Sequence, residues 1–213
     1  MGQAHHLFTT PFVVDTLQSE AGIAMLREAI EAEMARDPKG LEISNLGGWH
    51  SNTRMLEWGG EAAKALVYKA MTLADTATLD AKSPDDSRFG WIPELWANVN
   101  GKGSANQYHT HPGSYWSVVA YVDDGYDGSD DPELGGELQL LDPRAPTPQM
   151  AVPDLRLLGA DRKPQPCEIT IRPRTGMVVM FPSWLPHAVC MYRGEGTRIS
   201  VAINLTAALK PNR

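Results

Sequence analysis

Cysteine is scarce: the 213 residues hold two, Cys167 and Cys190, in no CxxC spacing. That excludes a disulfide framework and a thiolate zinc site, and it makes a reducing cytoplasm the expected setting. No apolar stretch reaches the roughly 18 residues a membrane helix needs, so no membrane partner is expected. The opening Met-Gly-Gln-Ala-His-His has neither the positive n-region nor the apolar h-region of a secretory signal. Position six is His6, not the Ser or Thr of a myristoylation signal. Positive charge is in deficit, with 19 Lys+Arg against 26 Asp+Glu and a net charge of −7. An acidic surface repels phosphate backbones, so nucleic acid is not an expected partner. GxSxG, Walker and GxGxxG motifs are absent, which argues against a serine hydrolase, a P-loop NTPase and a dinucleotide enzyme.

What is present is ordinary globular material, 42% hydrophobic and 21% charged, of a length that fits one domain over residues 1–213. Residues 1–87 read as a helical support region. The apolar run Leu7 to Val14 suggests a strand. Ile23, Leu26, Ile30 and Met34 recur with the period of one helix face, in a helix that should stop at Asp37-Pro38. Ala63, Leu66, Ala70, Leu73 and Ala77 mark a second helix, with Glu61 in its first turn. Residues 88–208 read as the core. There, short runs rich in Val, Ile, Trp and Tyr alternate with Gly and Pro clusters: Trp91–Asn100, Tyr115–Asp123, Glu137–Leu141, Glu168–Ile171, Met177–Phe181, His187–Tyr192 and Arg198–Leu205. The pattern predicts a mainly β fold with N-terminal helices, a sandwich or barrel and not βαβ units. Asp124 to Gly136 does not fit a calcium loop and reads as solvated. The proline-rich Pro143 to Pro166 is long enough to suggest a lid.

Six histidines occur. His5 and His6 lie at a terminus expected to fray, and His50 has no partner at a telling spacing, so none of the three is assigned a role. His109 and His111 form an HxH pair. In an extended strand, residues i and i+2 project to one face, which aims both imidazoles at one point. His187, after a Pro-rich bend, opens a distant strand that would supply a third ligand and leave the opposite side of an ion open. In Arg198 to Asn204, alternation puts Arg198, Ser200, Ala202 and Asn204 on one face and Ile199, Val201 and Ile203 on the other. A guanidinium looking into a barrel must be paired, and its fork matches a carboxylate. The partner is either an acid of this chain or one brought by a ligand.

The series His109-Thr-His111, Ala120-Tyr-Val-Asp123, Gly135-Gly-Glu-Leu138, Gly176-Met-Val-Val-Met-Phe-Pro182 leading to His187, and Arg198-Ile-Ser200 resembles the iron(II)- and 2-oxoglutarate-dependent oxygenases. Their core is a double-stranded β-helix, the jelly roll that cupins share. The likeness extends to a subgroup of about this length in which HxHP and FPSWLxH recur. It implies Fe(II) held by His109, His111 and His187, with 2-oxoglutarate as cosubstrate chelating the metal and its far carboxylate meeting Arg198 and Ser200. It also implies O2 as the oxidant and hydroxylation of a small-molecule or peptide substrate. Tyr108, Trp116, Tyr121 and Asn204 are the candidate pocket residues. One departure stands out: His111 occupies the place where the larger family has Asp or Glu. A cupin-type three-histidine enzyme that does not use 2-oxoglutarate is the alternative, although the usual cupin glutamate after HxH is missing. A non-catalytic metal-binding protein is the third reading. A β-edge or an N-terminal helix would support a homodimer.

Overall fold

A computed structural model describes residues 5–144, 152 and 154–211. Residues 145–151 and 153 of the proline-rich loop expected to form a lid lie outside the described residues.

The architecture follows from alternation. Eight strands run from Phe89 to Leu209: β4 (Phe89–Asn100), β5 (Ala105–His109), β6 (Trp116–Asp123), β7 (Leu138–Leu141), β8 (Glu168–Ile171), β9 (Met177–Pro182), β10 (His187–Val189) and β11 (Arg198–Leu209). Three further strands precede them: β1 (Val13–Thr16), β2 (Asn45–Leu46) and β3 (Trp49–His50). One sheet has the order β1-β9-β6-β11-β4-β3 and the other β2-β5-β10-β7-β8. All named pairs are antiparallel, and the chain passes repeatedly between the two sheets, which makes a jelly roll, or double-stranded β-helix.

Two helices cover the outer face of the larger sheet. The first, α1 (Glu20–Arg36), begins where the Ser19 side chain accepts a hydrogen bond from Gly22 N–H, and it ends at Asp37, before the proline. Its Leu26 and Ile30 are buried. A short α2 (Met55–Trp58) leads into α3 (Gly60–Ala77), whose Ala63, Leu66, Val67, Ala70 and Ala74 are buried. These residues share one core with Ile199, Val201 and Ile203 of β11 and Trp116, Val118 and Ala120 of β6. The aliphatic face of β11 therefore looks at the helices, and its Arg198–Ser200 face looks between the sheets. Asp80 and Arg88 tie the end of α3 to the start of β4 through a two-bond pair, 2.8 and 2.9 Å.

Two expectations need correction. The strand expected at Leu7–Val14 starts only at Val13, and Leu7 and Phe8 stand exposed. Pro11 has no N–H to give a ladder, and pairing begins beyond it. The stretch expected over His187–Tyr192 keeps only three ladder residues. The first 87 residues also contribute three strands to the two sheets, because unpaired edges of β9, β4 and β5 accept short extended segments.

Candidate metal and cosubstrate site

Between the sheets lies an open cavity that has His109, His111 and His187 at one part of its wall and Arg198 and Tyr121 at another. The strand register brings His187 of β10 opposite His109 of β5. His111 lies just past the end of β5, so the ladder assumed for the HxH pair stops two residues short of it. The rings converge nonetheless. His111 N–H donates to Ser183 O at 3.0 Å, which folds the turn back over β9. Ring centroids are 4.9 Å apart for His109 and His111, 4.3 Å for His109 and His187, and 5.1 Å for His111 and His187. One ligand atom from each lies within 4.8 Å of the others.

The donor chemistry suits a metal. His109 Nδ1 donates to Gln107 O at 2.7 Å and His187 Nδ1 to Leu185 O at 2.9 Å. A carbonyl only accepts, so Nδ1 carries the proton and Nε2 keeps its lone pair for an ion. Burial, reinforced by the neighbouring His109, pushes His111 down to about 4 and His187 down to about 3. Both rings are therefore neutral ligands at neutral pH. Three imidazoles make a donor set that suits Fe(II), and the set lacks only the carboxylate that position 111 would otherwise supply.

Across the cavity, Arg198 is 2% exposed, and among the described residues it has no ion-pair partner. Its Nε and the Tyr121 hydroxyl are buried without a hydrogen-bond partner, and the guanidinium carbon sits 5.2 Å from the Tyr121 ring centre. An orphaned cation beside an orphaned hydroxyl is costly in isolation and is the cradle a carboxylate would fill. Ser200 and Asn204 line the same cavity. The Ser117 hydroxyl donates to Asn204 Oδ1 at 3.1 Å.

Tyr108 and Trp116 are not among the lining residues. Tyr108 is exposed and donates its hydroxyl to Glu168 at 2.7 Å, and Trp116 is buried in the helix-facing core with its indole N–H on Thr78 Oγ1 at 2.8 Å. Adjacent strand residues face opposite ways: with His109 pointing inward, Tyr108 points out. Trp116 and Tyr121 differ by an odd number of positions on one strand, so only one can face the cavity. That parity was a usable signal. His50 and Trp96, given no role by sequence spacing, stack on each other at this site (5.6 Å, 13°), and Trp96 meets His111 at 5.6 Å. Cys190 is a free thiol that burial pushes upward, as expected of packing and not of a nucleophile.

A jelly roll with three converging imidazoles facing an unpaired guanidinium defines a candidate non-haem metal site in a double-stranded β-helix. The family model described as "Putative 2OG-Fe(II) oxygenase" matches residues 94–204, and the chain belongs to that family. It is accordingly a 2-oxoglutarate-dependent oxygenase, an oxidoreductase that uses Fe(II) and 2-oxoglutarate. Among curated proteins, none matches this chain in sequence. Solved structures share the fold. A Pseudomonas putida prolyl-4-hydroxylase is 17% identical with a TM-score of 0.59, covering 94% of each chain. A Trichoplax adhaerens prolyl hydroxylase, in complex with a hypoxia inducible factor peptide fragment, is 14% identical with a TM-score of 0.61 over 92% of this chain and 83% of that one. HygX from Streptomyces hygroscopicus, with nickel and 2-oxoglutarate bound, is 16% identical with a TM-score of 0.58 over 93% and 83%. No helix among the described residues is long and apolar enough to cross a membrane.

Proposed function

We propose that His109, His111 and His187 hold the Fe(II), that Arg198, Tyr121 and Ser200 seat the far carboxylate of 2-oxoglutarate, and that the enzyme hydroxylates its primary substrate. The observation that carries this is Arg198, a buried guanidinium with no acid beside it among the described residues, in one cavity with three converging imidazoles. Iron(II) with a bound 2-oxo acid activates dioxygen for C–H hydroxylation. The chain's own residues do the rest. His109 and His187, pinned by their Nδ1–H bonds, present Nε2 to the ion. Arg198 offers a two-pronged donor face and Tyr121 a hydroxyl, so a carboxylate docked there is neutralised and oriented toward the histidines. The apolar walls, Leu138 and Phe181, exclude water from the reacting zone.

The reacting end of the primary substrate, a small molecule or peptide, is uncharged. Once a carboxylate neutralises Arg198, the rest of the described lining, Ser44, Trp96, Asn98, Asn106 and Phe181 among it, bears no fixed charge. The proposed setting is the cytoplasm, where the free thiols Cys167 and Cys190 and the ferrous ion persist.

The test is anaerobic addition of Fe(II) and 2-oxoglutarate to the purified protein. A visible charge-transfer band, and succinate on admitting air, are expected. In His187→Ala the band should vanish, and in Arg198→Met the 2-oxoglutarate needed for it should rise by roughly 100-fold. Absence of the band in the wild type would refute the assignment.

A further inference from the structure

Two of the three histidines have their ring orientation set by hydrogen bonds, His109 to Gln107 O and His187 to Leu185 O. His111 makes no side-chain hydrogen bond among the described residues. Its imidazole instead lies against Trp96, with ring centroids 5.6 Å apart and planes at 60°. This is the ligand that departs from the family pattern. A carboxylate presents an oxygen in several rotations, whereas an imidazole presents its nitrogen in one, so a ring at this position needs its rotation held.

What holds it is visible in the sheet. On β11, Ser200 lies opposite Asn98 and Ala202 opposite Trp96. Residues directly opposite share a face, so Trp96 looks into the cavity with Asn98. On the other side of β4, His50 lies opposite Asn98, one diagonal step from Trp96. There His50 stacks almost parallel on the indole, 13° between planes and 5.6 Å between centroids. His50 is itself enclosed and hydrogen-bonded. It is 3% exposed, and its Nδ1 donates to Ser51 O at 2.6 Å. The next residue is locked to β4 in both directions, by Ser51 N–H to Ala97 O and Ala97 N–H to Ser51 Oγ, each 2.9 Å.

We propose that Trp96, backed by His50, is the positioning residue for His111: the stack replaces the missing hydrogen bond and sets the angle at which the third imidazole meets the ion. The inference rests on the assignment of the three histidines as metal ligands. In this role neither His50 nor Trp96 is a ligand of the metal. They act through His111 by removing ring rotations that metal binding would otherwise have to freeze.

The experiment is calorimetric titration of the metal-free protein with nickel(II), together with the visible ligand-field spectrum of the cobalt(II) form. Trp96→Ala should weaken nickel binding by roughly 10- to 100-fold, the range seen when an outer support of a metal ligand is lost, and should alter the cobalt spectrum. Trp96→Phe, which keeps an aromatic edge against His111, should restore affinity to within about threefold, and His50→Ala should fall between. In a His111→Ala background, Trp96→Ala should change affinity by no more than about twofold, because its route to the metal is gone. A folded Trp96→Ala protein with wild-type affinity, or an equal loss with and without His111, overturns the proposal. If Trp96→Ala does not fold, His50→Ala decides: unchanged affinity and an unchanged cobalt spectrum overturn it. Wild-type protein that takes up no nickel overturns the metal-ligand assignment itself, whereas normal wild-type uptake with unaffected variants overturns only the role of the stack.

Discussion

Arg198 carries a full charge at 2% exposure, with no carboxylate of the described chain beside it. Such a group costs the folded state free energy until a ligand pairs with it. Arg198→Met keeps the length and removes the charge. Without 2-oxoglutarate this variant should melt at or above the wild-type temperature, and the stabilisation that 2-oxoglutarate gives the wild type, about 2.7 kcal/mol at one hundred times Kd, should fall to about 0.4 kcal/mol at the same concentration. Thermal melting with and without 2-oxoglutarate measures both, and a variant stabilised as much as the wild type would sink the idea. At this scale much was legible. The HxH pair and the alternation from Arg198 to Asn204 mark residues that the structure brings to one cavity. His50 was not legible, because its link to the site is a strand register between segments 46 positions apart in the chain. A spacing rule sees only neighbours along the sequence.

The elements hold the site in place through close approaches that leave no slack. Gly135, at φ 67, precedes β7, and a Cβ there would lie 2.0 Å from Met191 O. Backbone cannot yield as a side-chain tip does, and the positive φ adds strain of its own. Gly135→Ala should therefore destabilise the fold by about 3 kcal/mol, seen as a fall in the urea midpoint at an unchanged slope. A loss below about 0.5 kcal/mol would show that this crossing is softer than it looks. The helices were readable from their periods, since an amphipathic stripe is a local property. The two-residue strands β2 and β3 were not, because so short a segment has no period and is extended only by its neighbour's unpaired edge.

For the molecule as a whole, buried neutral imidazoles tie stability to pH. His111 and His187 are pushed down to about 4 and about 3, and burial lowers His50 as well. Between the ordinary imidazole value of about 6.5 and those folded-state values, the unfolded chain binds protons that the folded chain refuses. Stability of the metal-free protein should therefore be full above about pH 6.5 and fall as pH drops toward 4. Melting temperature across that range checks the sign, and a flat profile would contradict it. Nickel should raise the melting temperature at pH 7 and lose that effect on acidification, since protons and metal compete for the same nitrogens.

Composition, the 3.6 and 2.0 periods and the ordered motifs determined the helices, the sheet class and the chemical types at the site, because these are properties of residues and their near neighbours. That His111 stands beyond its strand and leans on Trp96, and that Arg198 has no acid beside it among the described residues, were decided only by tertiary structure. Those outcomes depend on register and burial between distant segments, and the free energy that selects them exists only once both sheets have closed around the cavity.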